Sequence, residues 1–246
     1  MRYLIALALS ACAITASAQS PGRFVLQFDG NYHDRDDWGA AAAAAAVIND
    51  ANGEQPSPVK LVRVYINDHI PQSSGTWAGQ MRTSAQRFPC PVVDCHANFN
   101  AAVADLRTIL LTATASDPVW IGQCGTSDLT YQSLAGVPAS TRRYITNVSH
   151  SSKYNEGGQS SPDGGGVRSL AECTGINKVF IPNGNAALNT QQNWQPWAWE
   201  RSVDPFAYQR MQASGRADIS DLTVTGFIVY GDRQTTITDY RNWISN

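Results

Sequence analysis

Segments with the character of β-strands alternate with helix-like segments along most of this chain, and this order constrains the fold more than any other feature. Apolar, strand-like runs occupy residues 23–28, 60–66, 119–123, 143–148 and 178–182. Helical spacing or composition marks residues 37–48, 76–87, 98–112 and 129–134 between them. Such alternation is typical of a parallel sheet covered by helices on both faces. We therefore predict an α/β domain with an open, mostly parallel sheet.

The first 18 residues have the character of a secretory signal peptide. Arg2 is followed by an apolar run over residues 4–13 and then by the small residues 16–18. The apolar run is too short to span a bilayer, and no other segment is long and apolar enough to do so. We predict an exported protein, secreted or periplasmic, with one domain over residues 19–246. Lipidation at Cys12, which would anchor the chain as a lipoprotein, is the alternative.

Four cysteines remain after removal of the predicted signal peptide. An even number in an exported chain favours two disulfides, and we favour the pairs Cys90–Cys95 and Cys124–Cys173. A zinc site is the alternative, but the cysteine spacings do not repeat as pairs.

Charge and motifs exclude several classes of function. The formal net charge is −2 and only 15% of residues are charged, which argues against a nucleic-acid polymer or an anionic membrane as partner. The sequence has no nucleophile elbow, phosphate-binding loop or cofactor fingerprint. A small-molecule substrate remains the best prediction, and the oligomeric state is not predicted.

Polar clusters follow each predicted strand. They occupy residues 29–37, 67–69, 124–128, 150–156 and 183–185. The carboxyl ends of parallel strands meet at one edge of a sheet, where open α/β folds bind ligands. We therefore expect these clusters to form a single site.

The first cluster is the most informative, because it holds four aspartates within nine residues, at positions 29, 34, 36 and 37. Crowded carboxylates repel one another in the absence of a cation and are typical ligands of Ca²⁺. A solvated turn followed by a helix N-terminus is the alternative interpretation. The spacing is not that of an EF-hand.

The same stretch resembles the N-terminal signature of the nucleoside hydrolases. The pattern here is Asp29-x-Asn31-x-x-Asp34-x-Asp36-Asp37-x-Gly39-Ala40 after a strand. In that family this loop holds Ca²⁺ and the hydroxyls of a sugar. Residues 65–67, 119–134, 143–150, 155–156 and 220–222 are similar to later segments of the family, in the same order.

The resemblance implies a set of metal ligands, and together with the positions of polar residues at the strand ends it suggests contacts for a substrate. The implied ligands are Asp29, Asp37, the carbonyl of Cys124, and Asp221, with Asp218 as the alternative to Asp221. The candidates for binding substrate are Asp36, Asn67, His150, Asn155, Glu156 and Trp194. Trp194 enters through its flat aromatic face, which suits sugar stacking, and core packing is its alternative role.

Two departures from the family bear on catalysis. Asn31 stands where the family has a metal-ligating general base, and an asparagine amide does not accept a proton at neutral pH. Either Asp34 or Asp29 then serves as base, or the chemistry differs. Ser220 stands where the family has a histidine.

We predict an exported, Ca²⁺-dependent glycosidase that cleaves an N- or O-glycosidic bond of a nucleoside or glycan through metal-activated water. The alternative is a non-catalytic protein that binds a carbohydrate or nucleoside and retains the calcium loop. A structural surface protein stabilised by Ca²⁺ is a third possibility.

Overall fold

A computed structural model describes residues 22–31, 34–54, 59–67, 74–150 and 168–245. In this part of the chain, six strands form one sheet in the order β3-β2-β1-β4-β5-β6, and all neighbouring strands are parallel. The strands are β1 (Arg23–Phe28), β2 (Leu61–Ile66), β3 (Val92–Asp94), β4 (Val119–Cys124), β5 (Ile145–His150) and β6 (Asn177–Ile181). The predicted open α/β sheet is confirmed.

The helices run between and after the strands. They are α1 (Asp37–Glu54), α2 (Gly75–Ala85), α3 (Phe99–Leu111), α4 (Asp128–Leu134), α5 (Ala139–Arg142), α6 (Asn185–Leu188), α7 (Glu200–Val203), α8 (Pro205–Ser214), α9 (Leu222–Tyr230) and α10 (Ile237–Ile244). Short 3₁₀ turns cover Leu170–Glu172 and Gln195–Trp197. None of the helices described is long and apolar enough to cross a membrane.

Two hydrophobic clusters cover the two faces of the sheet. Leu26 and Phe28 of β1 pack in one cluster with α1, α8 and α9, whereas Val25 packs in the other with α3 and α4. This division follows from the alternation of side chains along a strand. The alanines at positions 40–45 of α1 are fully buried, which lets this helix pack closely against α8 and α2. Burial on both faces explains the continuous apolar character of β1.

The order of the strands reverses direction between β1 and β4. The chain moves outward from β1 through β2 to β3, then returns to β4 on the other side of β1. In sheets of this kind, ligands usually bind outside the carboxyl ends of the two strands at such a reversal, here β1 and β4.

The five predicted strands are present in the structure, and β3 is an additional strand that was not predicted. This three-residue strand pairs with β2 inside the segment between Cys90 and Cys95, which the sequence predicted as a loop. The predicted signal peptide lies outside the described residues.

The cysteines at positions 90, 95, 124 and 173 are thiols in the structure. Cys124 and Cys173 belong to the core clusters on opposite faces of the sheet, so the bridge expected between them is not formed. The sheet stands between the two thiols. The predicted Cys90–Cys95 bridge is not formed in the structure either, and burial raises the pKa of the Cys90 thiol to about 11.

Candidate functional site at the carboxyl ends of β1, β4 and β5

The turn after β1 brings two aspartates together at the carboxyl end of the sheet. The Gly30 N–H lies 2.9 Å from Oδ1 of Asp29 and 3.0 Å from Oδ2 of Asp37, and it donates to both. Gly30 has a φ of +49°, and an added Cβ would collide with Met81. Its carbonyl accepts a hydrogen bond from Trp38 Nε1 at 2.9 Å. Glycine at this position therefore allows the turn that brings Asp29 and Asp37 together.

His150, the last residue of β5, holds a third aspartate. Its Nε2 lies 2.7 Å from Oδ1 of Asp221, and its Nδ1 accepts a hydrogen bond from the Gly184 N–H at 3.2 Å. Because the Gly184 N–H donates to Nδ1, that nitrogen carries no proton. The ring proton is therefore on Nε2, which donates a hydrogen bond to Asp221. Although burial opposes the shift, the charge of Asp221 raises the pKa of this ring.

The Asp37 and Asp221 carboxyl groups interact directly. Burial, followed by the charges of Asp221 and Asp29, holds the pKa of Asp37 well above its ordinary value. His150 lowers the pKa of Asp221 against the effect of burial. The raised pKa favours the protonated form of Asp37, and its carboxyl group forms a hydrogen bond with that of Asp221. Oδ1 of Asp37 is buried without a hydrogen-bond acceptor or donor among the described residues.

A second pair of acids lies beside the first. Burial, then repulsion from Asp218 and Asp221, raises the pKa of Asp36 to about 7, while Arg216 opposes this shift. Arg216 Nη1 lies 2.5 Å from Oδ1 of Asp36. Burial raises the pKa of Asp218 to about 6, although Oδ1 of Asp218 accepts the Ser220 N–H at 2.9 Å. The structure thus brings both Asp218 and Asp221 to the site.

The turn after β4 contacts Asp29 through Cys124 and Gly125. The Cys124 carbonyl, a predicted metal ligand, accepts the Asp29 N–H at 3.3 Å and so extends the ladder between β1 and β4. A carbonyl oxygen has two lone pairs, so a group of this kind can accept a hydrogen bond and also ligate a metal. The Cys124 thiol donates to the Asp221 carbonyl at 3.6 Å. A Cβ on Gly125 would lie 2.9 Å from the Asp29 carboxyl group.

The oxygen atoms of these residues are suitable ligands for a hard cation, although the side chains are not arranged as a complete coordination shell. Within the described ranges, no three His, Cys, Asp or Glu side chains are already arranged to hold a metal ion. The charges of Asp29 and Asp221 nevertheless both act on Asp37, whose Oδ1 is buried without a hydrogen-bond partner among the described residues. Carboxylates and backbone carbonyls are the ligands that Ca²⁺ prefers, so these residues fit the ion by their chemistry.

The remaining predicted residues have diverse settings. Asn31 and Asn67 are fully buried, and Asn67 has a φ of +56° at the end of β2. Asp34 is half-buried in the turn before α1, where its carbonyl accepts the Asp37 N–H at 3.2 Å. Trp194 is half-buried and packs edge-on against Tyr208, with ring centroids 6.1 Å apart.

Two predicted substrate residues, Asn155 and Glu156, lie outside the residues that the structure describes. His150 is 4% exposed, and both of its ring nitrogens have protein partners. The structure therefore gives His150 a role in orienting Asp221, while its contact with substrate stays a prediction.

Two residues of the site, Arg216 and Gly184, were not among the predicted site residues. Arg216 is 180 positions from its partner Asp36, so no local pattern joins them. Gly184 contributes only its backbone N–H, but it follows Asn183 in one of the polar clusters, and this position was the available signal.

No family model matches the chain. A protein of Formosa agariphila, "Uncharacterized protein P22", is 25% identical over 205 residues, which is 76% of this chain and 71% of that protein. The similarity extends over most of both chains, and the name of that protein states no activity.

Proposed function

We propose that this chain is an exported, Ca²⁺-dependent glycosidase acting on a nucleoside or a glycan. The observation that carries the proposal is the meeting of Asp29, Asp37 and Asp221 at the switch point of the sheet, with Oδ1 of Asp37 buried and unpartnered. A polar atom buried in this way costs free energy unless a ligand satisfies it. A divalent cation bound by three carboxylates would do so.

The proposed calcium ligands are Asp29, Asp37 and Asp221, with the Cys124 carbonyl as a fourth. When bound, Ca²⁺ would acidify a water molecule and hold sugar hydroxyls. His150 donates its Nε2 proton to Asp221 and so keeps that carboxylate turned toward Asp37. Gly30 orients the other two ligands through its N–H group.

The second acid pair is the proposed contact for the substrate. Arg216 binds Oδ1 of Asp36 and orients this carboxyl group, which is the proposed acceptor for a sugar hydroxyl. Asp34 is the proposed proton acceptor because it is half-buried in the loop after β1, and Asp29 is the alternative base. Cleavage of a glycosidic bond through an oxocarbenium-like sugar needs such an acceptor for the proton of the attacking water.

Asn31 favours a second candidate function. It is fully buried at the position where the resemblance places the general base, and its amide does not take up a proton. A protein that binds a sugar or nucleoside without cleaving it would retain the calcium ligands and Asp36.

Release of reducing sugar separates the two functions. The protein is incubated with a panel of nucleosides and short glycans in the presence of Ca²⁺ or of excess chelator. We expect release that requires Ca²⁺ and falls at least 100-fold, on the order of the contribution of a general base, in Asp34→Asn or Asp29→Asn. Ca²⁺-dependent binding of the same compounds without release would favour the binding protein and contradict the glycosidase.

A further inference from the structure

A fully buried amide network lies behind the site, on the sheet face that carries α3 and α4. Gln123 of β4 is its centre: Nε2 donates to Ser127 Oγ at 2.6 Å and to the Gly125 carbonyl at 3.3 Å. Its Oε1 accepts from Asn147 Nδ2 at 2.6 Å and from Thr130 Oγ1 at 3.3 Å. Gln123 thus ties the turn after β4 to β5 and to α4.

The turn that Gln123 holds is in contact with a proposed calcium ligand. The backbone of Gly125 lies so close to Asp29 that an added Cβ would be 2.9 Å from its Cγ and Oδ2. The Asp29 N–H is bonded to the carbonyl of Cys124, one residue before Gly125. A shift of the Gly125 turn would therefore move or release the Asp29 carboxylate.

Packing alone does not account for glutamine at this position. Val25 and Ile121 occupy the same sheet face and are fully buried apolar residues. A buried amide in such surroundings is costly unless its hydrogen bonds are made. Three residues of the network belong to the turn and the first helical turn that follow β4, so its bonds converge on the segment that touches Asp29.

We propose that Gln123 is a positioning residue for the calcium site, acting on Asp29 through Gly125. The inference rests on the proposed function because it assumes that Asp29 binds Ca²⁺. Hydrogen-bonded residues behind metal ligands orient those ligands, and their loss lowers metal affinity about 10- to 100-fold.

Gln27 offers a matched control. It is the register partner of Gln123 on β1, is equally buried, and belongs to the same network through Thr130. No hydrogen bond of Gln27 to Gly125 is formed among the described residues. Gln27 also precedes Asp29 by two positions, so a general disturbance of β1 would affect Asp29 at least as strongly from Gln27 as from Gln123.

The test compares the calcium affinity of wild type, Gln123→Met and Gln27→Met by calorimetry, together with the melting temperature of each protein in chelator. We expect both variants to lose similar stability and only Gln123→Met to bind Ca²⁺ about 10- to 100-fold more weakly. Equal affinities in the two variants would overturn the inference. Absence of calcium binding by the wild type would overturn the proposed function instead.

If Gln123→Met does not fold, Gly125→Ala tests the contact between Gly125 and Asp29, through which Gln123 is proposed to act. Its methyl group would press on the Asp29 carboxyl group, whereas Gly79→Ala in α2 adds a methyl group with no atom nearer than 3.7 Å. We expect weaker calcium binding in Gly125→Ala alone. Unchanged affinity in that variant would overturn the inference.

Discussion

His150 donates a hydrogen bond from Nε2 to Oδ1 of Asp221 at 2.7 Å, across 71 positions of the sequence. The contact joins the end of β5 to the residue before α9. It also supplies the donor that lets Asp221 stay ionised beside Asp37. The position of the Asp221 carboxylate in the site therefore depends on its hydrogen bond with His150.

Replacement of His150 by leucine should destabilise the protein. Asp221 loses its donor and the Gly184 N–H loses its acceptor, both in buried surroundings. We expect the free energy of unfolding to fall by about 1–3 kcal/mol at pH 7, measured by urea denaturation. His96→Leu is the control, because His96 is exposed and surface changes cost less than about 0.5 kcal/mol. Equal losses in both variants would contradict the role of His150.

Gly125→Ala should lower the melting temperature of the protein even without Ca²⁺. The new methyl group would lie 2.9 Å from the Asp29 carboxyl group, which has a backbone anchor at Cys124 and little room to move. Overpacking of this kind costs about 1–3 kcal/mol. Gly79→Ala, in the interior of α2, should instead be neutral or stabilising by up to about 1 kcal/mol. Calorimetric melting of both variants shows whether the melting temperature falls only in Gly125→Ala. A higher melting temperature in Gly125→Ala would contradict the predicted contact.

Asp36→Asn should raise the stability of the protein and weaken the binding of sugar. Burial and the nearby acids raise the pKa of Asp36 to about 7, so above that pH the wild type carries an unfavourable buried charge. We expect the asparagine variant to be more stable than wild type at pH 8, by on the order of 1 kcal/mol, and to bind sugar poorly.

Asp105→Asn is the control for Asp36→Asn. The Asp105 carboxylate accepts from Tyr65 at 2.7 Å and pairs with Arg63 at 2.9 Å, so its loss should lower stability. Thermal melts at pH 8 and titration with the substrate identified in the release assay give both readouts. Destabilisation by Asp36→Asn would contradict the prediction.

Glu200 should make stability fall with rising pH. It is fully buried, Tyr240 donates to its Oε1 at 2.7 Å, and burial raises its pKa from 4.5 to about 8. Because the folded pKa exceeds the unfolded one, the stabilisation is complete below about pH 4.5 and is lost as pH rises through about 8. The slope approaches about 1.4 kcal/mol per pH unit between these values.

Melts of Glu200→Gln between pH 5 and 9 should show a flatter profile than those of wild type. Glu172→Gln alters a half-exposed surface carboxylate and should retain the wild-type slope between pH 6 and 8. Identical slopes in wild type and Glu200→Gln would show that Glu200 does not hold its proton in the folded state.

Local patterns predicted the parts of the fold that local forces determine. The apolar run of β1 and the alanines of α1 are long, buried and uninterrupted, so β1 was predicted with its observed bounds and α1 with its observed start, although α1 continues six residues beyond the predicted end. β3 was not predicted, because three half-buried residues carry too little periodicity to separate a strand from a loop. Its pairing with β2 determines its conformation.

The site was predictable where its residues share one loop and was less so elsewhere. Asp29, Asp36 and Asp37 follow β1 directly, and their crowding was visible in the sequence. Arg216 and the network around Gln123 were not predicted, because only the folded chain brings their partners together. The choice between Asp218 and Asp221 likewise had no sequence signal, and the structure places both at the site.

Calcium binding by calorimetry tests the central claim most directly, with wild type, Asp37→Asn and Asp117→Asn compared side by side. Asp117 pairs with Arg23 at the surface, at 3.1 Å, and serves as the control for loss of a carboxylate. We expect saturable binding by wild type and by Asp117→Asn, and at least a 100-fold weaker affinity, on the order of the loss of a charged ligand, in Asp37→Asn. Absence of binding by wild type, or equal binding by all three proteins, would contradict a calcium site formed by Asp29, Asp37 and Asp221.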